Sequence, residues 1–187
     1  MKFKEETVST ERVFSGKTIS LRVDQVLLPD GRIATREIVE HPGAVAIVAL
    51  TDQKEIVLVE QYRKAIEHKT LEIPAGKLDP GEHPRQCAIR ELKEETGIVS
   101  QELELVANYF TTPGFSDEQI HVYMAQNLDW GDSQPDADEF ICTTRIPVRD
   151  AIAMVVRQEI RDAKTIIGIL LAGMRIAGIF NAADAAD

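Results

Sequence analysis

Gly76–Ile98 reads GKLDPGEHPRQCAIRELKEETGI, and the fold turns on this stretch. Pro84 suits the first turn of a helix, where its missing N–H is no loss, and Gly97 suits the left-handed position just past the last turn. Between them Arg85–Thr96 holds good helix formers and neither Gly nor Pro. On the predicted helix Glu91 and Glu95 are four residues apart, so their carboxylates leave one face, with Glu94 beside them and Glu82 in the approach loop. Ala88, Ile89 and Leu92 give the opposite side an apolar surface. Like charges at this spacing repel by a few tenths of a kcal/mol per pair unless something offsets them. A divalent cation would do so, and Mg²⁺ prefers oxygen ligands. Read alone, an acidic helix face with Arg90 and Lys93 nearby is ordinary solvated surface.

The 187 residues suffice for one sizeable α/β domain with a small extra module. Hydrophobic residues at 44% and charged residues at 28% are ordinary for a soluble globular chain. A net charge of −10 argues against a nucleic-acid partner, which would want a basic patch. The two cysteines, Cys87 and Cys142, fit a reducing compartment and read as small buried hydrophobes. The N-terminus lacks an apolar core of signal-peptide length, and the apolar run Ile166–Phe180 falls short of a membrane span. A cytoplasmic protein without a membrane partner is expected.

Outside the helix, alternation in Thr18–Val23 and Ile33–Val39 around Pro29-Asp30-Gly31 predicts a β-hairpin, with a preceding strand near Glu11–Phe14. Ala44–Leu50 and Ile56–Glu60 read as central strands of a mixed sheet. Thr70–Ile73, Glu102–Phe110 and Gln119–Leu128 are further strands, and Thr111–Glu118 is a polar link. Pro147–Arg157 and Asp162–Ile179 carry helical periodicity. The boundaries expected are an N-terminal antiparallel β module over residues 1–41 and an α/β domain over 42–187.

Taken whole, the first stretch is Gly76, five residues, Glu82, seven residues, then Arg90-Glu91-Leu92-x-Glu94-Glu95-x-Gly97-Ile98. This resembles the Nudix box at every fixed position. The resemblance implies an α/β/α sandwich with a mixed sheet that hydrolyses a nucleoside diphosphate linked to another group. It implies Mg²⁺, with Mn²⁺ as the alternative, held by Glu91 and Glu95 and by the carbonyl of Ala75, which Gly76 exposes by letting the loop turn. Glu94 takes a secondary position, and Arg90 orients the box carboxylates through an ion pair. General chemistry agrees, because a pyrophosphate shields its phosphorus with negative charge that cations neutralise while acidifying water.

Pro113 follows Ile98 by fifteen residues, inside TTPGFSDE. With EQYRK (Glu60–Lys64) and LEIPAGKLDPGE (Leu71–Glu82), it resembles the bacterial ADP-ribose pyrophosphatase branch of Nudix hydrolases, from about Arg36 to Ala163. That branch implies ADP-ribose as substrate and a homodimer swapping its N-terminal strands. It implies Arg36 and Arg63 as pyrophosphate or ribose contacts, Glu40 at the adenine edge, and Glu139 in the loop Asp136–Glu139 as general base or water-positioning group, with Glu118, otherwise a substrate contact, as the rival for that role. His68, His83 and His121 have no metal- or triad-like spacing and read as structural or solvent-facing. Two alternatives stand: a different nucleotide derivative (a nucleotide sugar, a dinucleotide polyphosphate or an oxidised nucleotide), or a non-catalytic ADP-ribose sensor.

Overall fold

A computed structural model describes residues 3–134 and 140–180. The chain forms two compact units, one holding the described residues up to Gly43 together with Tyr109–Ile120, the other Ala44–Asn108 and the described residues from His121 onward.

The first unit is built on an antiparallel meander of β1 (Glu6–Ser15), β2 (Ser20–Leu27) and β3 (Ile33–Glu40). The β2–β3 turn contains Pro29-Asp30-Gly31: Gly31 takes φ 87°, a left-handed value glycine tolerates, and the Asp30 carboxylate accepts from Arg32 N at 3.1 Å. Two irregularities in register, between Thr7 and Ser9 and between Arg12 and Phe14, bend β1. Every residue of β1 is exposed, including Val8, Val13 and Phe14. The end of β3 holds the TTPGFSDE segment: Val39 N donates to Phe115 O at 2.8 Å, and His41 N to the Asp117 carboxylate at 2.8 Å.

The second unit runs β4 (Ala44–Ala49), β5 (Glu55–Arg63), β6 (His68–Glu72), β7 (Ala75–Lys77), α1 (Pro84–Thr96) and β8 (Ile98–Val99). It continues through β9 (Glu102–Phe110), β10 (Gln119–Gln126), β11 (Asp129–Trp130), β12 (Cys142–Pro147), α2 (Val148–Val156) and α3 (Ala163–Ile176). Two of these strands run past its boundary, β9 with Tyr109–Phe110 and β10 with Gln119–Ile120 in the first unit, and both join the sheet ordered β7-β4-β10-β9. A second sheet is ordered β12-β5-β6, and β11 pairs with β8.

β4 is buried almost throughout because helices cover both of its faces. Val45, Ile47 and Ala49 join one core cluster with Cys87, Ala88 and Leu92 of α1, while Val48 faces Gly168 of α3. A Cβ at Gly168 would come within 2.9 Å of Ile73 and 3.0 Å of Val48, so glycine lets α3 lie close to the strands. This is an α/β/α sandwich, and burial on both faces is why β4 reads as a continuous apolar run rather than an alternating one.

The structure corrects three expectations. β4 and β5 do not share a sheet; each is central in its own, with an isolated bridge between Leu50 and Ile56 at the turn that joins them. Cys142 is exposed, because it opens β12, an edge strand whose face is largely in solvent, whereas Cys87 is buried in the core. The last helix stops at Ile176, short of Ile179. Among the described residues no helix is long and apolar enough to cross a membrane.

Candidate active site on helix α1

α1 starts and stops where its local chemistry dictates. The His83 ring Nδ1 accepts from Arg85 N at 3.2 Å, Pro84 occupies the first turn, and Gly97 closes the helix at φ 73° with its N–H on Lys93 O at 2.8 Å. One face of α1 is packed into the core and the other carries its charges beside β7, which pairs antiparallel with β4 in the register Val45↔Gly76.

Arg90 is the centre of that charged face. Its Nε and Nη2 each donate to Glu82 at 3.0 Å, and its Nη1 donates to Glu91 at 2.7 Å and Glu94 at 3.0 Å. Hydrogen bonds from Arg90 hold Glu82 down at about 2, and the same bond raises Arg90 further above its usual range. The Asp79 N–H also donates to Glu82, at 3.1 Å. Glu95 is different: it is buried, and its carboxylate accepts from Ala75 N at 3.1 Å. Burial pushes the Cys87 thiol up to about 12, so it is an inert packing group whose Sγ lies 3.3 Å from Lys77 O.

Gly76 has a reason that the sequence did not show. It lies in β7 rather than at a turn, and a Cβ there would fall on the Glu91 carboxylate. Glycine therefore makes room for an acid, not for a bend.

Carboxylates and a backbone carbonyl are the hard oxygen donors that Mg²⁺ takes, so the residues around Gly76 fit that ion in donor chemistry. Glu91 lies over Gly76, and Glu95 is bonded to the N–H of the residue before it. Among the described residues no three His, Cys, Asp or Glu side chains converge as a formed metal cluster. Arg90 instead shares the charge of Glu91 and Glu94.

A second cluster lies across β5, β6 and the start of α3. Arg63 donates through Nε to Glu72 at 2.8 Å and through Nη2 at 2.6 Å, while Lys164 and Thr70 Oγ1 bond the same carboxylate. Glu72 is 1% exposed. Burial alone would push it upward; the hydrogen bonds from Arg63, then the charge of Lys164, outweigh that and hold it at about 2. Arg63 is raised chiefly by its bonds to Glu72, with the charges of Asp162 and Glu95 adding to the effect.

The remaining expected residues lie in the first unit or outside the description. Arg36 forks onto the Glu5 carboxylate, with Nε at 2.9 Å. Glu40 pairs with Arg12 at 2.8 Å and Arg22 at 3.5 Å. Glu118 accepts from Thr111 Oγ1 at 2.7 Å and lies 3.6 Å from His41 Nδ1. Glu139, expected as general base, lies outside the described residues.

The NUDIX domain family matches residues 40–166, and a nucleoside diphosphate sugar hydrolase N-terminal domain matches residues 5–39. The chain belongs to the Nudix family. It is 45% identical over 168 residues to an ADP-ribose pyrophosphatase of Bacillus subtilis, covering 89% of this chain and 91% of that one. Identity to an ADP-ribose pyrophosphatase of Mycobacterium tuberculosis is 42%, over 88% of this chain and 81% of the relative. A methanol dehydrogenase activator of Bacillus methanolicus is 46% identical, with 89% and 91% covered. The fold also matches a crystal structure of an ADP compounds hydrolase, with a TM-score of 0.82 and 22% identity over 95% of this chain and 97% of that one.

Within this Nudix chain, Glu72, Asp162, Lys164 and Thr165 escaped the reading of the sequence. A signal was present for two of them: Asp162 stands where an N-cap belongs, and its carboxylate accepts from Thr165 N at 3.0 Å. Glu72 interrupts an apolar run before Pro74, and a charge there calls for buried partners. Nothing local pointed to Lys164.

Proposed function

We propose that this Nudix protein hydrolyses the pyrophosphate of ADP-ribose to AMP and ribose 5-phosphate in the presence of Mg²⁺. The observation that carries the reading is the charged face of α1, where Glu91 lies over Gly76, Glu95 accepts from the Ala75 N–H and Arg90 ties Glu94 to Glu91, in a chain 42–45% identical to two ADP-ribose pyrophosphatases.

Glu91, Glu95 and the Ala75 carbonyl are the proposed metal ligands, and Glu94 serves from a secondary position. The bound cation supplies charge neutralisation of the pyrophosphate and acidification of water. Arg90 keeps Glu82, Glu91 and Glu94 in register by distributing one positive charge among them. Buried Glu95 is kept in one orientation by the Ala75 N–H. Water forms the new P–O bond as the bridging P–O bond breaks, and one phosphate product retains the bridging oxygen. Glu139 is the proposed acceptor of the water proton. Arg63 and Arg36 are proposed phosphate or ribose contacts, Arg63 being held by Glu72 and Arg36 by Glu5. Glu40 is the proposed adenine contact and Glu118 a further substrate contact.

We also propose a homodimer through the N-terminal meander. Its support is the exposure of the whole of β1, apolar Val8, Val13 and Phe14 included. A cytoplasmic location completes the reading.

The test is hydrolysis of a panel of ADP-ribose, ADP-glucose, GDP-mannose, diadenosine polyphosphates and oxidised dGTP, with Mg²⁺ and with chelator. Preference for ADP-ribose with AMP as product, abolished by chelation, is the expected outcome. A Mg²⁺-dependent preference for another member would keep the hydrolase and overturn the substrate.

A further inference from the structure

Glu72 ends β6 and Arg63 ends β5, on the two arms of one hairpin with register Arg63↔His68 and Gln61↔Thr70. The Glu72 carboxylate is the anchor for the Arg63 fork, which uses Nε and Nη2. Among the described residues Nη1 makes no hydrogen bond, so Nη1 and the second N–H of Nη2 remain as donors on the proposed substrate side. What keeps the anchor itself in place comes from far along the chain. Lys164, at the second position of α3, donates to Glu72 and also to Asp162, at 3.0 Å for the latter. Asp162 caps α3, accepting from Thr165 N at 3.0 Å and from Thr165 Oγ1 at 2.6 Å. Thr165 Oγ1 in turn accepts from Ile73 N at 2.9 Å. The start of α3 thus grips both Glu72 and the peptide after it, two residues before Ala75.

We propose that Lys164 is a positioning residue for substrate binding: it locks the Glu72 carboxylate so that Glu72 presents the Arg63 guanidinium in one orientation. This rests on the reading of Arg63 as a phosphate or ribose contact. Lys164 itself is nearly covered, with 13% of its side chain exposed, and both of its recorded bonds go to Glu72 and Asp162, so it acts through them rather than on substrate. Without Lys164 the Glu72 carboxylate keeps only Thr70 and Arg63 as partners, nothing from α3 fixes its orientation, and a guanidinium bonded to it moves with it. Displacements of this kind at a binding group cost about tenfold or more.

The test uses the full chain and steady-state hydrolysis of ADP-ribose with Mg²⁺, for wild type, Lys164→Met, Lys164→Gln, Lys164→Arg, Arg63→Ala and the double variant Arg63→Ala/Lys164→Met, with melting temperatures alongside. Lys164→Met is expected to raise KM about tenfold while kcat changes less than about threefold, and Lys164→Arg to recover most of the loss. In the Arg63→Ala background the same substitution is expected to add less than about twofold, because the two residues act as one unit. Lys164→Gln serves the same comparison if Lys164→Met does not fold. A lower melting temperature with unchanged KM well below it would overturn the proposal and leave Lys164 a purely structural residue. An equal KM effect in both backgrounds would overturn it too, since Lys164 would not then act through Arg63. If Arg63→Ala leaves KM unchanged, the reading of Arg63 fails first and the positioning role falls with it.

Discussion

The two charge clusters of the second unit balance their charges differently. On α1, one arginine serves three carboxylates, Glu82, Glu91 and Glu94, at a half-open surface. At the foot of α3, one buried carboxylate, Glu72, serves two cations, Arg63 and Lys164. The first is short of positive charge and becomes more comfortable when a cation arrives. The second is balanced by its own groups, since Asp162 also accepts from Lys164 at 3.0 Å, and removing the buried Glu72 carboxylate would take from Arg63 and Lys164 the acceptor they share. The α1 cluster thus carries an excess of acid that a cation relieves, whereas the Glu72 cluster matches its acids with its own cations and fixes where Arg63 lies.

The contrast breaks most visibly at Glu91. Glu91→Gln is expected to lower kcat by about 100-fold or more in Mg²⁺ while changing unfolding free energy by less than about 1 kcal/mol, because the neighbouring carboxylates repel one another. Paired activity assays and urea titrations would check this, and a large loss of stability without loss of activity would erase the distinction.

Glu72→Gln should do the reverse to stability, lowering it by about 3 kcal/mol in urea at pH 7. The pH dependence carries the same sign. Glu72 sits at about 2 in the fold against an ordinary 4.5, so the unfolded chain takes up the proton first as pH falls. Its contribution is full above pH 4.5 and is lost as pH falls toward 2, on the order of 3 kcal/mol in all. The Gln variant should show a correspondingly shallower acid limb in urea midpoints measured across that range.

Gly76→Ala sharpens the comparison from the backbone side. Its Cβ meets only the carboxylate end of Glu91, a flexible side chain that can swing aside, so a stability loss of less than about 1 kcal/mol is expected together with lower activity. If activity survives intact, the placing of Glu91 over Gly76 is not needed for turnover. The smallest effect on stability belongs to the first unit. Arg36 and Glu5 form an exposed pair, and such pairs stabilise little. Arg36→Ala should leave the melting temperature unchanged and raise KM for ADP-ribose, and a lowered melting temperature with an unchanged KM would reverse its assignment.

The elements legible in advance were those whose signals are local. The hairpin around Pro29-Asp30-Gly31, the strands over 102–110 and 119–126, and the helix after Pro84 all follow from turn residues, alternation or caps lying within a few positions of one another. β12 was less legible, since Cys142-Thr143-Thr144 on an exposed edge shows neither a buried run nor clean alternation. Sheet membership was invisible for β4 and β5, because an apolar run announces burial on both faces without naming its neighbour.

The same division holds at the site. The sequence by itself determined that α1 exists, where it begins and ends, and that Glu91, Glu94 and Glu95 leave it together, because helix periodicity and capping act over three or four residues. It determined the Nudix family for the same reason, the box being one contiguous stretch. Only the tertiary structure decided why residue 76 is glycine, which requires Glu91 to be brought over β7. Only the tertiary structure joined Glu72 to Lys164, 92 residues further along the chain. A contact across that separation leaves no periodicity in the chain, and a buried carboxylate finds its second cation only when α3 packs against the end of β6.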